Sequence, residues 1–191
     1  FPALDTRRFP SGLLEEKLPR KKVVKQYTLP SYFVDLTKIQ NKDVDGYLSL
    51  LSRNTRSNIK RAMKKFNKLG ELKLQHANDL SDALDVFNSM VAMHQQYWHG
   101  RGLSGAFDSD WIKDFHRSLI IDRFSSGEIQ LLRILCGSKT VGCLYNFVYK
   151  GVVHYYQSGF NYQEFINLKP GLICHSLAIP YNAKKGHTSY D

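Results

Sequence analysis

The chain has 191 residues, 42% of them hydrophobic and 13% aromatic, enough to bury one good-sized core or two small ones. Lys and Arg number 27 against 17 Asp and Glu, and the formal charge of +10 favours a polyanionic partner: nucleic acid, a membrane surface, or the phosphates of a nucleotide cofactor. No apolar run approaches the roughly 20 residues that cross a bilayer, and Cys136, Cys143 and Cys174, odd in number and without metal-ligand spacing, indicate neither a disulfide framework nor a zinc site. A reducing, cytoplasmic compartment is expected. Phe1 to Pro10 has neither the order nor the length of a signal peptide, and the absence of an initiator Met and of C-terminal punctuation at Tyr190-Asp191 suggests a piece of a longer chain.

Residues 1–30, with Pro2, Pro10, Pro19 and Pro30, read as an irregular lead-in or linker, with a short strand at Lys22 to Tyr27. Residues 31–191 read as the organised domain. Tyr32 to Leu36 has strand-like residues, and Asn41 to Gly70 carries Leu48, Leu51, Ile59, Met63, Phe66 and Leu69 at helical spacing, closed by Gly70. Leu72 and Leu74 flank Lys73 as in a half-buried strand. Asn78 or Asp79 then caps a helix whose apolar face is Leu80, Leu84, Phe87, Met90, Val91, His94 and Trp98. A glycine-rich loop follows, and Asp108 or Ser109 caps a second amphipathic helix through Trp111, Ile112, Phe115, Leu119 and Ile120.

Three strand-like runs come next: Ile129 to Leu135, Val141 to Tyr149 and Val152 to Phe160, an antiparallel meander whose Lys150-Gly151 junction is short enough for a two-residue hairpin. Pro170 to Lys185 reads as a helix capped by a left-handed Gly186, with Pro180 expected to kink or split it, and His187 to Asp191 begins another strand.

Four constellations bear on chemistry. Gly100-Arg101-Gly102-Leu103-Ser104-Gly105 spells G-x-G-x-x-G but follows a helix, so the dinucleotide-binding context is missing; it reads as a helix cap and turn, or as a flexible loop whose Arg101 reaches an acidic ligand. From Arg53 to Lys68 seven basic residues and no acidic one share a helix, either a solvated face or a contact for nucleic acid or phosphate. A helix opening on Pro170-Gly171 turns bare backbone N–H groups toward the preceding loop, as an anion site or as ordinary hydrated amides. Strand alternation places His154 and Tyr156 on one side of the strand that enters this joint. His94 is expected to pack, and His76, His99, His116, His175 and His187 are given no role.

Taken together, Leu51-Ser52-Arg53-Asn54-Thr55-Arg56, Met93-His94-Gln95-Gln96-Tyr97-Trp98, Gly102-x-x-Gly105-Ala106-Phe107, Tyr156-x-x-Gly159-Phe160, Pro170-Gly171 and Gly186-x-x-x-Tyr190-Asp191 resemble, in order and spacing, the GNAT-like acetyltransferases of bacterial polysaccharide (cellulose-type, CelD-like) gene clusters. These are relatives of the Fem-type aminoacyltransferases. The resemblance runs from about Phe33 to Asp191. It implies an α+β fold, a mixed sheet with helices on both faces, in which Val152 to Phe160 is the strand that splays from its neighbour to admit acyl-CoA.

The resemblance further implies that the donor pairs with the exposed backbone of this strand, with Gln157, Ser158, Gly159, Lys169, Pro170, Gly171 and Leu172 contacting it and the pyrophosphate over the Pro170 helix. An acceptor amine attacks the thioester directly, with His154 as base and Tyr156 as acid to the thiolate. Arg101 and Asp191 are expected at the substrate, and no metal is required. Asn161 to Lys169 stands where typical members carry a glycine-rich phosphate loop, so two donors stay open: acetyl-CoA or another acyl-CoA, serving a small amine such as an amino sugar, or aminoacyl-tRNA with the basic helix as its contact. A degenerate, non-catalytic binding module is the third reading.

Overall fold

In the computed structural model, residues 32–40 and 42–191 are described; the expected lead-in over 1–30, its strand at Lys22 to Tyr27, and Asn41 lie outside them. The meander is the frame on which the rest is hung. Strands β3 (Ile129–Cys136), β4 (Lys139–Tyr149) and β5 (Val152–Phe160) pair antiparallel through two tight turns. Both turns need left-handed backbone: Gly137 has φ +59° in the first, Lys150 and Gly151 have φ +48° and +76° in the second. Strand β2 (Leu72–His76) adds antiparallel to β3 on one side. On the other, β6 (Ser189–Tyr190) adds parallel to β5, and β1 (Val34–Asp35) adds antiparallel to β6, giving the order β1-β6-β5-β4-β3-β2.

Helices cover both faces of this mixed sheet, as the α+β expectation requires. One face carries α1 (Val44–Ser49), α2 (Arg53–Phe66) and α6 (Pro170–Lys184), which bury Leu48, Ile59, Phe66, Ile173 and Ala178 against Leu132, Ile134, Leu144 and Val153. The other carries α3 (Leu80–His99) and α4 (Asp110–Arg123), which bury Phe87, Met90 and Ile120 against Leu131, Cys143 and Tyr145. The short helix α5 (Tyr162–Phe165) and a 3-10 turn, Ile166–Leu168, link β5 to α6. Among the described residues no helix is long and apolar enough to cross a membrane.

The helix starts follow from their caps. Asp79 accepts from the Asp82 amide at 2.8 Å, so α3 begins at Leu80. Two capping side chains divide the stretch expected as one helical run over Asn41 to Gly70: Asp43 accepts from Gly46 N at 2.8 Å and Ser52 from Thr55 N at 3.3 Å, leaving Leu50 to Ser52 outside both helices. Gly70 is not a left-handed cap. Its lack of a side chain is needed because a Cβ there would lie 2.7 Å from the Gly137 amide of the facing turn. The strand expected over Tyr32 to Leu36 is confined to Val34–Asp35, because Asp35 caps a 3-10 turn, Leu36–Ile39, at once.

On α4 the expected apolar face is shifted. Trp111 and Phe115 are 70% and 50% exposed, while His116 and Ile120 face the core. Pro180 does not split α6, which runs unbroken through it. The Ser176 carbonyl therefore has no helical N–H to accept. Gly186 is left-handed as expected, at φ +84°.

Candidate active site

Strand β5 is the axis of the site, and a bulge divides it. Tyr155 pairs with Asn146 and Gln157 with Tyr145, so Tyr156 is the extra residue with no partner of its own. Before the bulge the alternation expected from sequence holds. Val153 belongs to the α6-side core and Tyr155 sits against His175 of α6, which leaves His154 and Tyr156 on the α3/α4 side.

His154 and Asp191 meet there, Nδ1 to Oδ2 at 3.0 Å. A carboxylate can only accept, so Nδ1 carries the hydrogen in this bond; in the neutral imidazole that leaves Nε2 as the acceptor, the arrangement a general base needs. Two residues on, the Tyr156 hydroxyl lies 3.0 Å from His116 Nε2, with the Tyr145 hydroxyl 3.4 Å from the other ring nitrogen. Burial pushes the Tyr156 and Tyr145 phenols up and the His116 imidazole down, so the cluster is neutral at physiological pH. Nothing in the sequence joins His116 to Tyr156 across 40 positions. Only the packing of α4 on the sheet does so.

Past the bulge, α3 presses on the strand. A Cβ on Gly159 would lie 2.1 Å from the Met90 carbonyl oxygen, which is why a glycine stands here. One turn further along α3, His94 is buried and holds two backbone groups: its Nε2 accepts from Ala106 N at 3.1 Å and its Nδ1 is 3.0 Å from Ser158 O. The first bond requires a bare Nε2, which makes Nδ1 the donor to Ser158. Gln95 takes the adjacent Phe107 amide at 3.1 Å, so the glycine-spelled loop is latched to α3. His94 thus does more than the packing expected of it. It ties that loop to the strand.

At the end of the strand the groups that matter are backbone. Ser158 N–H is held by the Gln157 side chain at 3.1 Å, and the Ser158 hydroxyl meets the Tyr155 hydroxyl at 2.7 Å. Strand β6 pairs with Val152 and Val153, and the last bond is Tyr155 N to Asp191 O at 2.9 Å. On that side Gln157 to Phe160 has no strand partner among the described residues. Between β5 and α6, Asn161 caps α5 where a glycine loop is more usual, and the chain reverses at Lys169, held left-handed at φ +54°. No side chain caps α6, so the amides after Pro170 stand open with the positive end of the helix dipole. The close neighbour of Gly171 is the Phe160 ring, 3.0 Å from where its Cβ would be.

The two residues expected at the substrate lie at different ends of β5. Asp191 is against His154, whereas the Arg101 guanidinium is 4.4 Å from the Tyr97 ring centroid, on a ladder of rings that passes through Tyr162 (4.7 Å) to Phe160 (6.0 Å).

Comparison with known proteins agrees with this architecture. No curated protein matches the chain by sequence. The crystal structure of FemX superposes with a TM-score of 0.61 at 13% identity, over 88% of this chain and 54% of that one. The C-terminal domain of a putative lysylphosphatidylglycerol synthetase from Agrobacterium fabrum gives 0.51 at 13%, over 83% and 43%. A conserved protein of unknown function from Bacteroides thetaiotaomicron gives 0.51 at 8%, over 94% and 55%. At such identities the likeness is one of fold, and the chain spans about half the length of these structures. Residues 53–191 match the profile described as an acetyltransferase (GNAT) domain, and the chain therefore belongs to that family.

Proposed function

We propose that this chain transfers an acyl group, acetyl in the first instance, from acyl-CoA to a small amine such as an amino sugar of polysaccharide or envelope metabolism. The observation that carries the reading is the division of β5: a carboxylate-oriented imidazole lies before the bulge and a phenol at it, and a strand edge without a strand partner among the described residues leads from it toward an uncapped helix N-terminus. The donor's pantetheine runs along Gln157, Ser158 and Gly159. Its pyrophosphate lies over Pro170, Gly171 and Leu172, with Lys169 and Arg101 as the nearby cations.

His154 Nε2 takes a proton from the acceptor ammonium, and Asp191 stabilises the imidazolium so formed. The freed amine nitrogen bonds to the thioester carbonyl carbon, and the carbonyl pair moves onto oxygen, where backbone N–H groups receive the charge. Collapse breaks the carbon–sulfur bond. Tyr156 gives its proton to the departing thiolate and is reprotonated by the second proton that the nitrogen sheds as the amide forms, while His116, held neutral by burial, keeps the phenol in place. No covalent enzyme intermediate is needed.

A second reading has its own support in α2, where six basic side chains, followed by Lys68 just past the helix, lie apart from the buried Ile59, Ala62 and Phe66, with Lys60 paired to Asp45 at 2.8 Å. Such a face suits aminoacyl-tRNA as the donor. Isothermal titration separates the two. Saturable acetyl-CoA binding, weakened about tenfold or more by Gly171→Trp, is expected. Binding to tRNA alone, with a steep dependence on salt, would replace the first reading by the second.

A further inference from the structure

We propose that the groove between α4 and the end of β4 is the acceptor subsite, and that it takes the ring of a neutral amino sugar. The inference rests on the reading above for the position of the base and deepens it by naming what holds the acceptor. The groove has a volume of about 260 Å³ and is lined by Leu119, Arg123, Glu128, Ile129, Phe147 and Tyr149.

Its inner end touches the chemistry. Phe147 is the cross-strand partner of His154, and in an antiparallel pair such partners present their side chains on the same face with Cβ atoms about 5 Å apart. The Phe147 ring is also 5.1 Å from the Tyr156 ring. A molecule filling the groove up to Phe147 therefore ends beside both the proposed base and the proposed acid, where a primary amine must be presented. Glu128 is the one carboxylate in the lining, and it is held by Arg123 at 3.3 Å and by the Ser126 hydroxyl at 3.0 Å.

The walls select the body of the acceptor. Phe147 and Tyr149 offer aromatic surface, Leu119 and Ile129 offer aliphatic surface, and Arg123 with Glu128 sets guanidinium donors beside carboxylate acceptors. A pyranose ring matches both halves, with axial C–H groups against the rings and hydroxyls against the ion pair. Lys150, 5.3 Å from the Tyr149 ring, leaves the rim cationic on balance, which disfavours polyamines and lysine-rich peptides whose bodies carry further positive charge. The same α4 face continues outward through Phe115 and Trp111, stacked at 5.9 Å and 17° and exposed to 50% and 70%. Phe115 meets the buried His116 ring edge-on at 5.2 Å, whereas Trp111 has Phe115 as its one ring partner among the described residues. Flat aromatic surface extending the groove wall is what a second sugar ring would use.

Methyl β-D-glucosaminide and cadaverine, one a ring amine and the other a flexible diamine, are titrated calorimetrically into the intact protein and into Tyr149→Ala and Trp111→Ala. Both side chains are exposed, and thermal melts check that the variants are folded. Saturable glucosaminide binding is expected, weakened about tenfold by Tyr149→Ala, with cadaverine failing to saturate. Trp111→Ala is expected to weaken a chitobiose-type disaccharide amine and leave the monosaccharide unchanged. Failure of the glucosaminide to saturate, equal affinity in the protein and Tyr149→Ala, or tighter binding of cadaverine would each overturn the proposal. Acetyl-CoA is titrated separately. If it does not bind while glucosaminide still responds to Tyr149, the donor reading falls and the acceptor groove stands.

Discussion

The two halves of β5 solve different problems with different parts of the chain. Up to and at the bulge the working groups are side chains: His154 oriented by Asp191, and the bulged Tyr156 held by His116. After it they are backbone: the Ser158 carbonyl held by His94, a glycine pressed against Met90, and the open amides of α6. Proton transfer needs titratable groups, which a sequence displays. Seating an extended donor needs backbone with nothing in the way, which neighbouring elements create. The contrast holds only if substitutions in the first half damage turnover and those in the second damage folding or donor affinity.

The largest effect is expected at His154. Replacing it with Ala removes the base, and turnover should fall about 10²-fold to 10³-fold with acetyl-CoA affinity unchanged, measured by steady-state rates alongside calorimetry. Asp191→Asn should cost less, because the imidazole remains and only its orientation and the charge beside the imidazolium are lost. Unchanged turnover in His154→Ala would remove the side-chain half of the comparison. On the other side of the bulge, Gly159→Val places carbon within 2.1 Å of the Met90 oxygen, so α3 must move off the strand. A loss of roughly 3 kcal/mol in chemical denaturation is expected, and a loss under about 1 kcal/mol would mean that α3 does not grip β5 as described.

How much of this was legible beforehand follows the same division. His154, Tyr156 and their shared face came from period-2 alternation, and the meander from apolar runs broken at Gly137 and Lys150-Gly151. The break at Leu50 to Ser52 did not, since the apolar spacing continues across it and only Asp43 and Ser52, acting as caps, interrupt the helix. Tyr156 as a bulge residue was also invisible, because a bulge is a relation between two strands. The sequence marks His94 as a packing residue and gives His116 no role, for one reason. A lone histidine on a helix becomes meaningful when its partners are known, and Ser158, Ala106 and Tyr156 are brought to them by tertiary packing. The exposure of Trp111 and Phe115 overturned an apolar-face reading, since aromatic residues at helical spacing read as core whichever way the helix is turned.

A middle-sized effect concerns pH. His175, on α6 behind Tyr155, donates to or accepts from the Tyr190 hydroxyl at 2.9 Å, and burial pulls its imidazole down to about 4. An unfolded His titrates near 6.5, so as pH falls below that value the unfolded chain takes up a proton that the folded chain refuses. Stability is therefore fully present above about 6.5 and drains away down to about 4, by about 2–3 kcal/mol from this group. Buried His94 and His116 act in the same direction. Denaturation midpoints at pH 7 and pH 5 should differ, and His175→Phe should narrow the difference. A flat profile would mean that the α6 face is wetter than the packing of Tyr155 and Tyr190 implies.

The smallest effect is expected on α2, and it tests whether the donor half of β5 stands alone. Arg61, Lys64 and Lys65 are exposed and make no ion pair among the described residues, so changing all three to Gln should alter stability by no more than about 0.5 kcal/mol. If the donor is acyl-CoA held by the backbone of β5 and α6, its affinity should also stay within about twofold, because these side chains contribute only a screened background potential. If a polynucleotide carries the acyl group, the same variant should bind it far more weakly, and the slope of log K against log salt should drop by about 2 to 3, close to one for each phosphate that is no longer neutralised. The substitution is silent in one case and severe in the other, so a measurement that barely perturbs the fold decides which donor the open strand edge receives.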